Sequence, residues 1–251
     1  MAELVKGVTA GEAWHRSIAL LATNDRQIFD LLVEVVDPTT VELDRVYVAA
    51  LDELLQSRGW QDTESVANTI FPADLARTSR TRDRLYSRYL GMHRGLRRAS
   101  KKNSKGLYFE RLIQYPLQPD EARANQLETI IQALQGARRP GGLYHAYELQ
   151  IFCPGKDLRP RGFPCLSSIS AHVDGDRLRL SATYRNQYYI QKALGNFIGL
   201  AALQRFISDH AGLELGTLSI HAFHAQIDPE VGTGELAALM ASMPNLRIEE
   251  Q

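Results

Sequence analysis

Cys165 is the residue in this 251-residue chain whose surroundings most suggest chemistry. It closes the run Gly162-Phe163-Pro164-Cys165 and opens the β-like stretch Leu166-Ser167-Ser168-Ile169; Tyr184-Arg185-Asn186 follows about twenty residues later, then Asn196. A thiol attacks as thiolate, and a nearby positive charge favours that form. With Arg185 downstream, Cys165 looks like a nucleophile beside an anion site, although a lone arginine in a strand is more often a rim residue. The other reading of Cys165 is a small buried hydrophobe, the common fate of a free cysteine. The structural reading of Asn196 is an asparagine that caps a helix. His221 and His224 sit an odd spacing apart on an expected strand, which puts them on opposite faces and disfavours a shared metal ion.

The elements that must position these groups are legible as patterns. Residues 10–21 show helical spacing, with Thr9 as N-cap and Glu12 completing a capping box. Residues 28–36 form a mostly buried strand stopped at Asp37-Pro38, and a helix is expected over 41–57. A helix over 119–136 has Asp120 and Glu121 in its first turn, Leu127, Ile130, Ile131 and Leu134 on one face, and Gly136 as its stop. Strands follow over 143–152, 165–173 and 177–184, the last two joined by Asp174-Gly175-Asp176 as a hairpin. A long apolar helix over 190–211 ends at Gly212, and residues 216–227 read as a final strand.

Composition narrows the class. Lys plus Arg and Asp plus Glu both total 29, so no global field argues for nucleic acid or an anionic membrane. Basic residues are concentrated between 75 and 105, from Arg77 and Arg80 to Lys101, Lys102 and Lys105. They read as a solvated helix running into a mobile loop, or as a polynucleotide-facing patch interleaved with Tyr86 and Tyr89. Two cysteines make no disulfide framework and no export leader is evident, so a cytoplasmic protein is expected. The longest apolar runs fall short of the roughly 20 residues that span a bilayer. With 44% hydrophobic residues, the chain is expected to fold as one α/β domain over 1–251.

The order Cys165, Tyr184-Arg185-Asn186, Asn196 resembles the thymidylate synthase and pyrimidine hydroxymethylase family, well over 138–228 and poorly over the first hundred residues. The resemblance implies an α/β fold with a large mixed sheet, helices on one side and a homodimer joined sheet to sheet. It implies C5 hydroxymethylation or methylation of a pyrimidine nucleotide monophosphate, with methylenetetrahydrofolate as cofactor. Cys165 is then the nucleophile that adds to C6, and Arg185 holds the 5′-phosphate. Arg138 and Arg139 reach the same phosphate from the neighbouring subunit, and Asn196 reads the base, uracil in preference to cytosine. Tyr108, in Gly106-Leu107-Tyr108-Phe109-Glu110-Arg111, resembles the tyrosine that helps the C5 proton leave, with Phe109 in place of a glycine. Glu53-Leu54-Leu55 resembles the family's general-base segment.

Three positions depart from the pattern. Tyr188 falls where the family has the aspartate that engages the pterin. Gln226 and Asp228 fall on the histidine and tyrosine that bind the sugar, and a shift of two recovers His224 as the histidine. The charged stretch over 243–251 differs from the apolar end of the methylating enzymes, which favours the hydroxymethyl product. From another class, the same residues are compatible with a nucleotide-binding or interaction protein that has lost folate chemistry. A modifier of bases within a polynucleotide is a third reading.

Overall fold

The structure, a computed structural model, describes residues 2–39, 44–99, 107–115, 124–137, 145–158 and 164–245. In chain order the first half gives β1 (Glu3–Gly7), α1 (Ala10–Thr23), β2 (Gln27–Val35), α2 (Arg45–Ser57), α3 (Thr63–Ile70), α4 (Ala73–Arg77), α5 (Arg82–Ala99) and α6 (Tyr108–Ile113). The second half gives α7 (Gln126–Ala137), β3 (His145–Gln150), α8 (Pro154–Asp157), β4 (Leu166–Asp174), β5 (Arg177–Tyr184) and β6 (Gln187–Tyr188). A π-helical turn (Tyr189–Ala193) then leads into α9 (Leu194–Ala211), β7 (Glu214–Gln226) and α10 (Thr233–Ala241).

The strands form one seven-stranded mixed sheet in the order β1-β2-β7-β5-β4-β3, with β6 pairing alongside β7. β1 runs parallel to β2 and β5 parallel to β7, while the β2–β7, β4–β5 and β3–β4 pairs are antiparallel. Along β5 the alternation is clean: Leu178, Leu180, Ala182 and Tyr184 are buried, and Arg177, Arg179 and Ser181 are exposed, as period-two geometry requires when one face is covered. The cover is α1 and α9, whose Trp14, Ile18 and Leu21, and Phe197, Leu200 and Leu203, have no exposed surface. Each such side chain contributes about 1.5–3 kcal/mol of burial. The opposite face is left open by the described residues, and Leu4, Phe29, Leu32 and Phe223 remain 54%, 65%, 38% and 48% exposed.

Local chemistry accounts for several boundaries. Thr9 Oγ1 accepts the Glu12 N–H at 3.2 Å, but the Glu12 carboxylate reaches back to the Val8 N–H at 2.8 Å, one residue beyond a standard capping box. Gly175, at φ 65°, takes the first position of the two-residue loop between Asp174 and Arg177, a conformation that glycine adopts without a Cβ penalty. α7 starts later than its sequence pattern suggests. Tyr115 bridges Ala124, and Asn125 Oδ1 caps the helix by accepting the Glu128 N–H at 3.0 Å. Asp120 and Glu121 lie outside the described residues.

Two expectations are corrected. Tyr86 and Tyr89 are core residues of α5, 6% and 2% exposed, not an aromatic platform for bases. His221 and His224 share the open side of the sheet rather than opposite sides. Asp30, at φ 58°, interrupts the β2 pleat opposite Phe223, so buried positions resume at Ile28 and Ala225 with a changed phase. His221 then meets Asp30 at 3.2 Å, and His224 stacks on Phe29 with centroids 4.8 Å apart.

α3 crosses α9 closely because α9 offers glycines there. A Cβ on Gly195 would lie 2.7 Å from the Thr63 carbonyl oxygen, and one on Gly199 would lie 2.6 Å from that of Ala67. This contact holds α3 over the N-terminal half of α9, beside Asn196. Among the described residues no helix is long and apolar enough to cross a membrane.

Candidate functional site

Cys165 stands immediately before β4, where the β4–β5 register slips: Leu166 pairs with Tyr184 but Ser168 with Thr183, leaving Ser167 as the extra residue. The Ser167 carbonyl is gripped from the other side by the Ile151 and Phe152 N–H groups, both at 3.0 Å. Arg185 is bound to the same turn twice. Its N–H donates to the Cys165 carbonyl at 3.0 Å, and its Nε donates to the Pro164 carbonyl at 3.2 Å. Hairpin register therefore brings thiol and guanidinium together.

The opposing groups come from helices. Tyr108, the first residue of α6, lies with its phenol against the main-chain N–H groups of Cys165 and Leu166. Burial, and then the neighbouring thiol, push it up to about 12, so it stays protonated at neutral pH. Burial also pushes the Cys165 thiol up, while Arg185 and then Lys192 pull it down. Fully buried Tyr184 is raised well above its usual value by burial and by its neighbours Tyr108 and Cys165, and its hydroxyl has no hydrogen-bond partner among the described residues.

Lys192 arrives on the π-turn, an arrangement that recurs at functional sites. Trp14 Nε1 donates to the Tyr189 carbonyl at 2.6 Å, and Asp228 Oδ2 accepts the N–H groups of Ile190 and Gln191 at 2.8 and 3.2 Å. Lys192 Nζ is steadied by Gln61 Oε1 at 2.9 Å. Asn196, four residues on and 5% exposed, falls inside α9; the N-cap position belongs to Ala193, so the capping reading of Asn196 fails.

A polar cluster extends from Arg185 along the sheet. Asn186 Oδ1 accepts from Gln226 Nε2 at 2.9 Å and lies 2.7 Å from His224 Nδ1, whose other ring nitrogen is 3.2 Å from Gln27 Oε1. Gln226 and His224 thus share one oxygen, whichever of them aligns with the family's histidine. Asp228 has no exposed surface, and its carboxylate holds the π-turn. Tyr188 is 38% exposed and pairs with Gln226 in the β6–β7 ladder.

Cys165, Tyr108 and Arg185 therefore converge, with Asn196 on the adjoining helix. Glu53 lies on the exposed face of α2 and makes no hydrogen bond or ion pair among the described residues. Arg138 and Arg139 lie outside the described residues. Within the basic stretch, Arg82 forks onto Glu128 with both bonds at 2.8 Å, and Arg88 bonds Thr78 and Ser79 side chains. These cations serve the fold.

No family model matches the chain. It is 35% identical over 78 residues to a putative thymidylate synthase of Methanopyrus kandleri, a stretch that covers 31% of this chain and 37% of that protein. Over that stretch the chain is similar to thymidylate synthase, and it spans little more than a third of that relative's length. Among solved structures it matches thymidylate synthase from T4 phage with a TM-score of 0.40 and 14% identity, over 49% of this chain and 41% of that one.

Two residues of the candidate site escape a sequence reading. Tyr184 is masked by its neighbour Arg185, which attracts the functional interpretation. Lys192 had a signal: a lone cation at the start of an apolar helix, four residues before Asn196 and so on the same side.

Proposed function

We propose that the chain binds a pyrimidine nucleotide monophosphate and modifies its C5, by hydroxymethylation or methylation, through a covalent Cys165 adduct at C6. The observation that carries this reading is the thiol of Cys165 set between the phenol of Tyr108 and the cations Arg185 and Lys192. A thiolate adding to C6 moves the ring electrons onto C5, and two cations nearby favour both the thiolate and a phosphate-bearing substrate. Tyr108, held protonated, can donate or relay a proton at C5. Asn196 reads the pyrimidine edge, with uracil the better match. Gln226 with His224 meets the sugar; Asp228 is assigned to holding the π-turn instead.

The family's one-carbon donor is methylenetetrahydrofolate, whose pterin the resemblance would set against a carboxylate. Tyr188 offers a phenol at that position, which carries no permanent charge, so the residues present do not fit a pterin held in that way. That misfit favours a second reading, a nucleotide-binding protein that has lost folate chemistry. A homodimer through the open sheet face, with exposed Leu4, Phe29, Leu32 and Phe223 at its centre, is part of the proposal. It would bring Arg138 and Arg139 of the second copy to the phosphate.

C5-proton exchange tests the covalent step without any one-carbon donor. Addition at C6 followed by protonation at C5, loss of the original C5 hydrogen and expulsion of the thiolate releases tritium from a [5-³H]pyrimidine monophosphate into water. Wild-type protein and two cysteine variants separate the readings: release by wild type and by Cys153→Ser, with none from Cys165→Ser, supports the enzyme. Tight nucleotide binding with no release of tritium moves the chain to the second reading, and neither binding nor release removes both.

A further inference from the structure

A cleft on the helical side of the molecule shares no residue with the Cys165 site. Its cavity volume is about 530 Å³, and it lies between α4, residues 79–82 and the outer face of α9. Small-molecule sites typically enclose about 300–1,000 Å³. α9 presents Ile198, Ala202 and Phe206, spaced by four and therefore on one face; Ala76 of α4 faces them, and Phe71 and Leu85 close the floor. The space exists because alanines stand at the two facing positions.

The mouth is cationic. Arg77, Arg80, Arg82 and Arg205 all line it, and their engagements differ. Arg82 is neutralised by Glu128, and Arg77 makes an exposed pair with Asp74 at 3.0 Å. Arg205 donates to the Thr39 carbonyl at 3.0 Å and has no ion pair among the described residues. Arg80 is exposed and makes no hydrogen bond or ion pair among the described residues. Two carboxylates also line the cleft. Asp209 is exposed on α9; Asp44 is 4% exposed, turned onto the Gly11 N–H at 2.7 Å, and raised by burial, which weakens its ionised form.

We infer that this cleft is a second ligand site, for an amphipathic anion: a flat apolar body seated on Ala202, Phe206 and Ala76, with one acidic group against Arg80 and Arg205. The guanidinium fork suits a carboxylate, sulfonate or phosphate terminus. The site is independent of the chemistry proposed for Cys165.

The probe is 1-anilinonaphthalene-8-sulfonate, followed by fluorescence titration, with uncharged N-phenyl-1-naphthylamine as its neutral counterpart. Wild type binds one equivalent of the sulfonate, and the neutral compound binds at least fivefold more weakly. Arg80→Glu weakens the sulfonate at least fivefold, Ala202→Trp at least tenfold, and Cys165→Ser and Phe29→Ser leave it unchanged. Phe29→Ser controls for dye on the open sheet face. Equal binding of charged and neutral probes overturns the inference, as does a wild-type titration curve from Arg80→Glu. If Ala202→Trp does not fold, the exposed Arg80 variant still decides the matter.

Discussion

Replacing Asp157 with Asn is expected to destabilise the protein by about 3–5 kcal/mol, because it leaves a buried guanidinium without its counter-ion. Arg111 of α6 and Asp157 of α8 are 6% and 3% exposed, and they meet as a fork with Nη1–Oδ2 at 2.5 Å and Nη2–Oδ1 at 3.0 Å. Arg111 Nη1 also donates to the Ile151 carbonyl at 2.7 Å, and Asp157 Oδ2 accepts the Cys153 N–H at 2.8 Å. Burial by itself drives the Asp157 carboxyl upward, but the bonds from Arg111 and Cys153 outweigh it and hold the group below the usual carboxylate range. Asn keeps the volume and one acceptor, so the cost comes from the stranded charge and not from a cavity. For a chain of this size the melting temperature falls on the order of 10 °C. Tyr108 sits one turn before Arg111 on α6, so under the proposed function C5-tritium release would fall with stability as the phenol moves off Cys165. Urea unfolding measures the loss as a lower midpoint at unchanged slope. The double variant Arg111→Met, Asp157→Leu recovers part of it, since an apolar pair has no charge to desolvate, although the Ile151 carbonyl and the Cys153 N–H lose their partners. A loss under about 1 kcal/mol, the scale of an exposed pair, or a double variant no better than the single one, refutes the reasoning.

Glu128 is held at about 2, chiefly by the bonds from Arg82, against an ordinary value of 4.5. Its contribution is therefore complete above the unfolded value and is lost as pH falls from there towards 2. Glu128→Gln is expected to cost roughly 2–3 kcal/mol at pH 7 and little near pH 2, and urea midpoints that differ equally at both pH values would contradict this. Gly199→Ala forces a methyl against the Ala67 carbonyl and is expected to cost about 1–3 kcal/mol in chemical denaturation; a neutral result means that α3 can retreat from α9. Burial raises the Cys165 thiol, so its alkylation by iodoacetamide, followed by mass spectrometry, is slower at pH 7 than that of a free thiol and keeps rising into the alkaline range. Lys192→Gln moves that profile higher still, and an unshifted profile removes Lys192 from the thiol's environment.

What the sequence by itself determined is what depends on near neighbours. The Thr9 cap, the Asp174–Arg177 hairpin and the Gly212 stop each follow from residues within one or two turns, and they appear as expected. The pairing of Cys165 with Arg185 is legible to within one residue: strict register counted from Asp174–Arg177 sets Cys165 opposite Asn186, and the extra residue Ser167 moves it to Arg185. Other features required closure of long stretches of chain. Asp228 meets the π-turn across 38 residues, Arg111 meets Asp157 across 46, and Gln61 meets Lys192 across 131. No spacing rule spans such distances, so Asp228 as a cap and Gln61 as the partner of Lys192 emerge only once the sheet is packed. The shared side of His221 and His224 is a smaller case of the same kind. Strict alternation separates them, and the left-handed backbone at Asp30, set by pairing across the sheet, brings them together.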